Sequence, residues 1–175
     1  MDHNDHVNLI RRGVEGAGSR WADLGAGGGA FTLALADILG QGSDIIAIDR
    51  DAGALKRNAT EMEKRFPGAR VKYRTDDFTA PLEALTNLDG IVMANSLHFQ
   101  HNQAELVRRI RGYLRPGGRL VIVEYNVQRG NFAVPHPVPF ERWRQLATKA
   151  GFERTELLVR RPSRWHSEMY PAVSS

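Results

Sequence analysis

The residues of this chain best suited to chemistry are a run of glycines and a set of carboxylates at the ends of apolar runs. Trp21 to Ala36 reads WADLGAGGGAFTLALA. A short apolar run meets Asp23, then Gly25, Ala26, Gly27, Gly28 and Gly29 precede a helix-like stretch. Glycine lets backbone approach a ligand closely and admits positive φ. A helix that begins just after such a bend turns its unpaired N–H groups and positive dipole end toward the same space. Further along, Asp49 ends DIIAID, Asp76 and Asp77 follow ARVKYR, and Asn95 ends DGIVMAN. A carboxylate at Asp49 can accept hydrogen bonds from both hydroxyls of a ribose. His98, in NSLHFQH, is the candidate base, since histidine is the side chain that ordinarily titrates near neutrality.

These residues need a scaffold that delivers them to one place, and the chain alternates strand-like and helix-like segments. RWADL, DIIAID, ARVKYR, DGIVMAN and RLVIVEY read as strands. Helical runs lie between them: AFTLALADILG closing at Gly40, then Leu55, Ala59, Met62 and Phe66 at helical spacing, stopped by Pro67-Gly68. LEAL reads as a short helix. Asn102 and Glu105 have the spacing of a capping box, and Leu106, Ile110, Tyr113 and Leu114 form the stripe behind it. RPGG reads as a turn. Pro139 opens a last helix with Phe140, Trp143, Leu146, Ala147 and Ala150 facing inward, and Gly151 ends it. FERTELLVRR and RWHSEMYPAV read as a final strand pair turning at Pro162-Ser163. Alternation of this kind predicts an α/β fold with a mostly parallel sheet and helices on both faces. Its ligand cleft lies beyond the carboxyl ends of the strands.

The bulk properties exclude other classes. With 175 residues, 42% hydrophobic and 25% charged, the chain is expected to form a single domain over 1–175, with residues 1–19 as a tail and lid helix. His3 and His6 are expected to lie in a disordered tail. No cysteine occurs, which removes disulfides, thiolate metal ligands and cysteine nucleophiles, and no metal site is expected. The sequence shows no apolar run of membrane-spanning length and no secretory leader, so a cytoplasmic location is expected. The formal charge of +4 admits an acidic partner, but the arginines are scattered rather than clustered with aromatics.

The glycine loop fits two cofactors. Gly25, Gly27 and Ala30 satisfy the dinucleotide pattern G-x-G-x-x-G/A, while Asp23, Gly25, Gly27 and Gly29 form D-x-G-x-G-x-G. Asp23, Asp49, Asp76 and Asp77 together predict an acidic rim. Carboxylates oppose a diphosphate and suit a cation. With DLGAGGG, AIDRD, TDDF, ANSLHF and LRPGGRL in order, the chain resembles the class I S-adenosylmethionine-dependent methyltransferases over roughly Arg20 to Val159. That resemblance implies a Rossmann-like seven-stranded sheet of order 3-2-1-4-5-7-6 with an antiparallel last strand, and S-adenosyl-L-methionine as cofactor. By position, it implies that Gly25, Ala26 and Gly27 border the methionine part, with Asp23 supporting the loop. Asp49 then takes the ribose, and Asp77 and the Phe78 N–H take the adenine; Asp76, next to Asp77 at the end of the third strand, reads as inside the same cleft and cofactor-binding. Asn95 lies beside the cofactor. Arg50 stands where the family often has an apolar residue, with its stem available to adenine. NSLH, where base-amino methyltransferases carry N-P-P-[YF], points to a small-molecule acceptor; RNA methylation and a non-catalytic binding module are the alternatives. Phe132, Tyr125 and Trp143 are candidates for the acceptor pocket, and a monomer or homodimer is expected.

Overall fold

The structure is a computed structural model and describes residues 1–159 and 168–175. Its centre is a seven-stranded sheet of order β3-β2-β1-β4-β5-β7-β6. The strands are β1 (Arg20–Leu24), β2 (Asp44–Asp49), β3 (Arg70–Thr75), β4 (Leu88–Ala94), β5 (Leu114–Tyr125), β6 (Thr155–Leu157) and β7 (Met169–Ser174). The first five run parallel, and β7 is antiparallel to both β5 and β6. The helices are α1 (His3–Val14), α2 (Ala30–Leu39), α3 (Ala52–Arg65), α4 (Gln103–Arg111) and α5 (Phe140–Ala150). Pro162-Ser163, the expected hairpin turn, lies outside the described residues.

Strand side chains alternate between two cores. Trp21, Ile45, Val92, Val121 and Val123 pack with α1 and α2 on one face, while Ala22, Ile46, Ile91, Leu120 and Ile122 pack with α4 and α5 on the other. Burial on both faces accounts for the unbroken apolar runs. Gly90 is obligatory here: a Cβ would lie 2.3 Å from the ring of the fully buried Trp21.

Several expectations are corrected. The helix expected near the N-terminus starts at His3, leaving little tail, and packs into the core: α1 is capped by Asp2, whose side chain accepts from Asp5 N, and buries Val7, Leu9, Ile10 and Val14. It crosses β5 so closely that a Cβ on Gly13 would come within 2.8 Å of Val121. His3 and His6 belong to this helix; His3 bonds Asp37 at 2.8 Å, and His6 lies edge-on to Phe31. LEAL is not helical, and its Leu82 and Leu85 are simply buried. RPGG lies inside β5, at a register shift opposite β4, because a bulge lets a strand absorb an extra bend. Asn102 caps α4 by position only, since its amide bonds Glu105 instead of backbone.

Candidate functional site

The loops that follow β1, β2, β3 and β4 converge on one cleft of about 290 Å³. Gly25, Asp49, Arg50, Asp76, Asp77, Phe78 and Asn95 all line it. Thr79, Ser96, Phe99 and Gln100 line it too, although no distinctive residue pattern marks them. A second hollow of about 480 Å³ lies over the other side of the glycine loop, against α1 and α2, with His6, Ala26, Gly28 and Phe31 in its wall. Gly25 and Asn95 border both hollows.

The glycine loop is shaped by close approach as well as by conformation. Gly25 has φ +81°, and a Cβ there would sit 2.7 Å from Ser96 Cβ, so β4 leaves no space for a side chain. Asp49 braces this bend: its Oδ2 accepts from Gly27 N at 2.8 Å and its Oδ1 from Asp51 N at 2.9 Å. An ionised carboxylate offers about four lone-pair sites, so it can accept further bonds. Asp51 in turn caps α3 by accepting from Ala54 N, as its place after the strand predicts.

Asp23 departs from the expected rim. It is 1% exposed and accepts from Thr32 Oγ1 at 2.7 Å, and Thr32 accepts from Asn58 Nδ2 at 2.8 Å. Burial pushes the Asp23 carboxyl up to about 7, against the Thr32 hydrogen bond that favours its ionised form. It supports the loop from within and leaves Asp49, Asp76 and Asp77 as the acidic side of the cleft. Asp76 is held by Arg74 at 2.6 Å. Asp77 accepts from the Thr79 hydroxyl and backbone N, which hold its carboxyl below the usual range, with Arg50 adding a smaller pull.

His98 is likewise not open in its loop. It is 2% exposed, and its Nδ1 lies 2.6 Å from Oε2 of the fully buried Glu124 at the end of β5. Glu124 Oε1 also accepts from Leu97 N and His98 N, so one carboxylate pins the loop after β4 to the neighbouring strand. Glu124 was the residue missed by pattern reading. Its signal was a lone acid in VIVEY, an otherwise apolar run. The other acceptor candidates separate: Trp143 is in the core, Tyr125 lies beside the His98 ring, and Phe132 is wholly exposed. His101 stacks edge-on with His136 at 5.2 Å.

The family model for the methyltransferase domain matches residues 15–165. The chain belongs to that family. With this sheet order it is of the class I S-adenosylmethionine-dependent type. It is 34% identical to the acetylserotonin O-methyltransferase of Mus musculus over 139 residues, 77% of this chain and 35% of that protein. It is 30% identical to the carboxy-S-adenosyl-L-methionine synthase of Citrifermentans bemidjiense over 126 residues, 68% of this chain and 50% of that one. The chain thus spans about a third to a half of these two relatives' length. Among solved structures, the N-terminal domain of EvdMO1 with S-adenosylhomocysteine bound superposes with a TM-score of 0.76 at 19% identity, covering 99% of this chain and 81% of that one.

Within this methyltransferase fold the residues present fit a nucleoside with a cationic centre. A Cβ on Gly27 or Gly28 would meet nothing within 4 Å, so the loop there leaves open space, and the Asn95 Oδ1 is buried without a hydrogen-bond partner. The carboxylates outnumber the single arginine lining the cleft. No helix among the described residues is long and apolar enough to cross a membrane.

Proposed function

We propose that this chain, as one domain over 1–175, transfers a methyl group from S-adenosyl-L-methionine to a small-molecule acceptor. The observation that carries this reading is the cleft at the carboxyl ends of the strands, with a bare glycine floor and carboxylates on its wall. The cofactor supplies an activated methyl group on a sulfonium. The protein's part is therefore alignment, which can contribute about 7–11 kcal/mol of barrier reduction.

Asp49, already fixed by Gly27 and Asp51, accepts from the ribose hydroxyls with its remaining lone pairs. Asp77 accepts from the adenine amino group and the Phe78 N–H faces a ring nitrogen. Arg50 covers the adenine with its aliphatic stem. Gly25, Ala26 and Gly27 border the methionine part, Asp76 stays beside the cleft on Arg74, and Asp23 keeps the loop in place from below.

An acceptor hydroxyl must lose a proton, and His98 is the group proposed to take it. Glu124 engages Nδ1, which leaves Nε2 for the proton. His98 itself lines neither hollow, but its ring packs on Phe99, which lines the first, and a histidine held by a buried carboxylate there favours an oxygen nucleophile. The O-methyltransferase name of the mouse relative agrees with it. The protein is read as cytoplasmic, and as a monomer or homodimer.

The test is twofold. S-adenosylhomocysteine should raise the thermal midpoint, since a ligand at 100 times its Kd stabilises by about 2.7 kcal/mol. Label from methyl-tritiated cofactor should then enter small hydroxylated metabolites, and His98→Asn should slow that transfer without weakening cofactor binding. Transfer only to RNA, or none to any pool, would overturn the acceptor reading.

A further inference from the structure

Asp23 is a buried acid that no step of the proposed transfer uses. It is 1% exposed and lines neither hollow, yet the glycine loop that floors both begins two residues later. Its surroundings hold no counter-charge. In the sheet it pairs with Ala47 of β2 and Val92 of β4. From α2 it meets Thr32, and behind Thr32 stands Asn58 of α3, both fully buried and uncharged. The charged group that acts on it is Asp49 of β2, which is of like sign. Among the described residues no cation bonds to it. An ionised acid is costly in such a place, and burial accordingly raises the carboxyl to about 7.

The cluster fits either protonation state. A carboxyl, a hydroxyl and an amide can each donate or accept. With Asp23 ionised, Asn58 Nδ2 donates to Thr32 Oγ1 at 2.8 Å and Thr32 donates to Asp23 at 2.7 Å, which leaves Asn58 Oδ1 buried without a partner. With Asp23 protonated, the sense of the chain reverses: Asp23 donates to Thr32, and a turn of the amide lets Asn58 Oδ1 accept from Thr32. The glycine loop rests directly on this cluster, since a Cβ at Gly29 would fall 2.5 Å from Asn58 Cγ. A cation in the cleft above supplies what the interior lacks. Across a path of low dielectric its charge favours the ionised carboxylate, and an uncharged occupant does not.

We infer that Asp23 tells the charged cofactor from its uncharged product: it surrenders its proton to solvent when a sulfonium occupies the cleft and takes one back once the methyl group has left. This rests on the cofactor reading above. Charge balances at each step, with a cation in and a proton out, then the sulfur neutral and a proton regained from solvent. Asp23 touches no reacting atom and is not a catalytic residue.

Calorimetry tests this without any acceptor. Proton release is read from the difference in binding heat between phosphate and Bis-Tris, whose ionisation enthalpies differ. At about pH 6.5, S-adenosylmethionine should release most of one proton per wild-type chain, and its Kd should weaken about tenfold from pH 7 to pH 5.5. S-adenosylhomocysteine should show neither effect. Other titrating groups, His6 among them, are shared with Asp23→Asn, so the difference between the two proteins is what counts; both effects should vanish in that variant. Thr32→Val withdraws the donor that favours the ionised form and should move the Kd transition to higher pH, which keeps the test open should Asp23→Asn fail to fold. Equal proton release with both ligands, release that persists in Asp23→Asn, or an unmoved transition in Thr32→Val would overturn the inference while leaving the cofactor reading intact. Failure of the wild type to bind either ligand would remove both.

Discussion

The two halves of the sheet's carboxyl end are built differently. Over β1 and β2 the loops are short, and carboxylates bonded to backbone amides hold them and the start of the loop after β3: Asp49 ties the glycine loop to the start of α3, and Asp77 folds back on Thr79. After β4 and β5 the buried pair of His98 with Glu124 fastens the first loop to β5, and His136, donating to His98 O and accepting from Gln103 Nε2, joins the two loops, while Phe99 and Phe132 stand out into solvent. A nucleoside of constant shape is well served by the first arrangement. The second leaves the surface around the proposed acceptor site open to change, as loops on a rigid scaffold do. Prearrangement on one side and variability on the other is a division of labour within one cleft.

That contrast can be broken or sharpened by substitution. The largest effect should come from Glu124→Ala, which strands the His98 ring and two amides; a loss of about 3–5 kcal/mol in urea unfolding is expected. Retention of wild-type stability would mean that the pair does not fasten the acceptor half.

Next comes the pH dependence of Asp23, whose folded value is raised from 3.8 to about 7. The folded chain keeps a proton that the unfolded chain releases. The stability tied to this group is therefore complete below about pH 4 and is lost as pH rises through about 7. Relative to Asp23→Asn, the unliganded wild type should lose on the order of 2–4 kcal/mol across that window. Parallel stability curves for the two proteins from pH 4 to 8 would refute this.

Asp49→Ala removes the acceptor of two backbone amides as well as the proposed ribose contact. Its affinity for S-adenosylhomocysteine should fall by about 1.5–3 kcal/mol in calorimetry, with kcat for bound cofactor less affected. The smallest effect is expected from Phe132→Ala, within about 0.5 kcal/mol in stability because the ring is wholly exposed. A large drop there would show that the open half is not open.

The same contrast decides what could be read in advance. The apolar runs of β1, β2, β4 and β5, the glycine loop and the acids after β2 and β3 were legible, since burial on both faces and positive φ leave marks in residue type. The partner of His98 was not legible: Glu124 meets it across 26 residues of sequence, and only the β4–β5 pairing brings them together. Asp23 looked like part of a charged rim because its neighbours along the chain do not reveal Thr32 and Asn58 on two other elements. The first helix is legible in HVNLIRRGV, but not its start at His3 or its burial. Its polar residues obscured Val7, Leu9, Ile10 and Val14, and only Gly13 against Val121 explains how it lies so close to the sheet. RPGG, read as a turn, shows that a bulge can carry turn residues through a strand.

The line from Asn58 through Thr32 to Asp23 carries an evolutionary consequence. It crosses α3, α2 and β1 within the interior, and each member answers the hydrogen-bonding need of the next. A lone exchange of Thr32 for valine would disappoint both neighbours at once. Descendants of this chain should therefore change the three positions more readily together than singly.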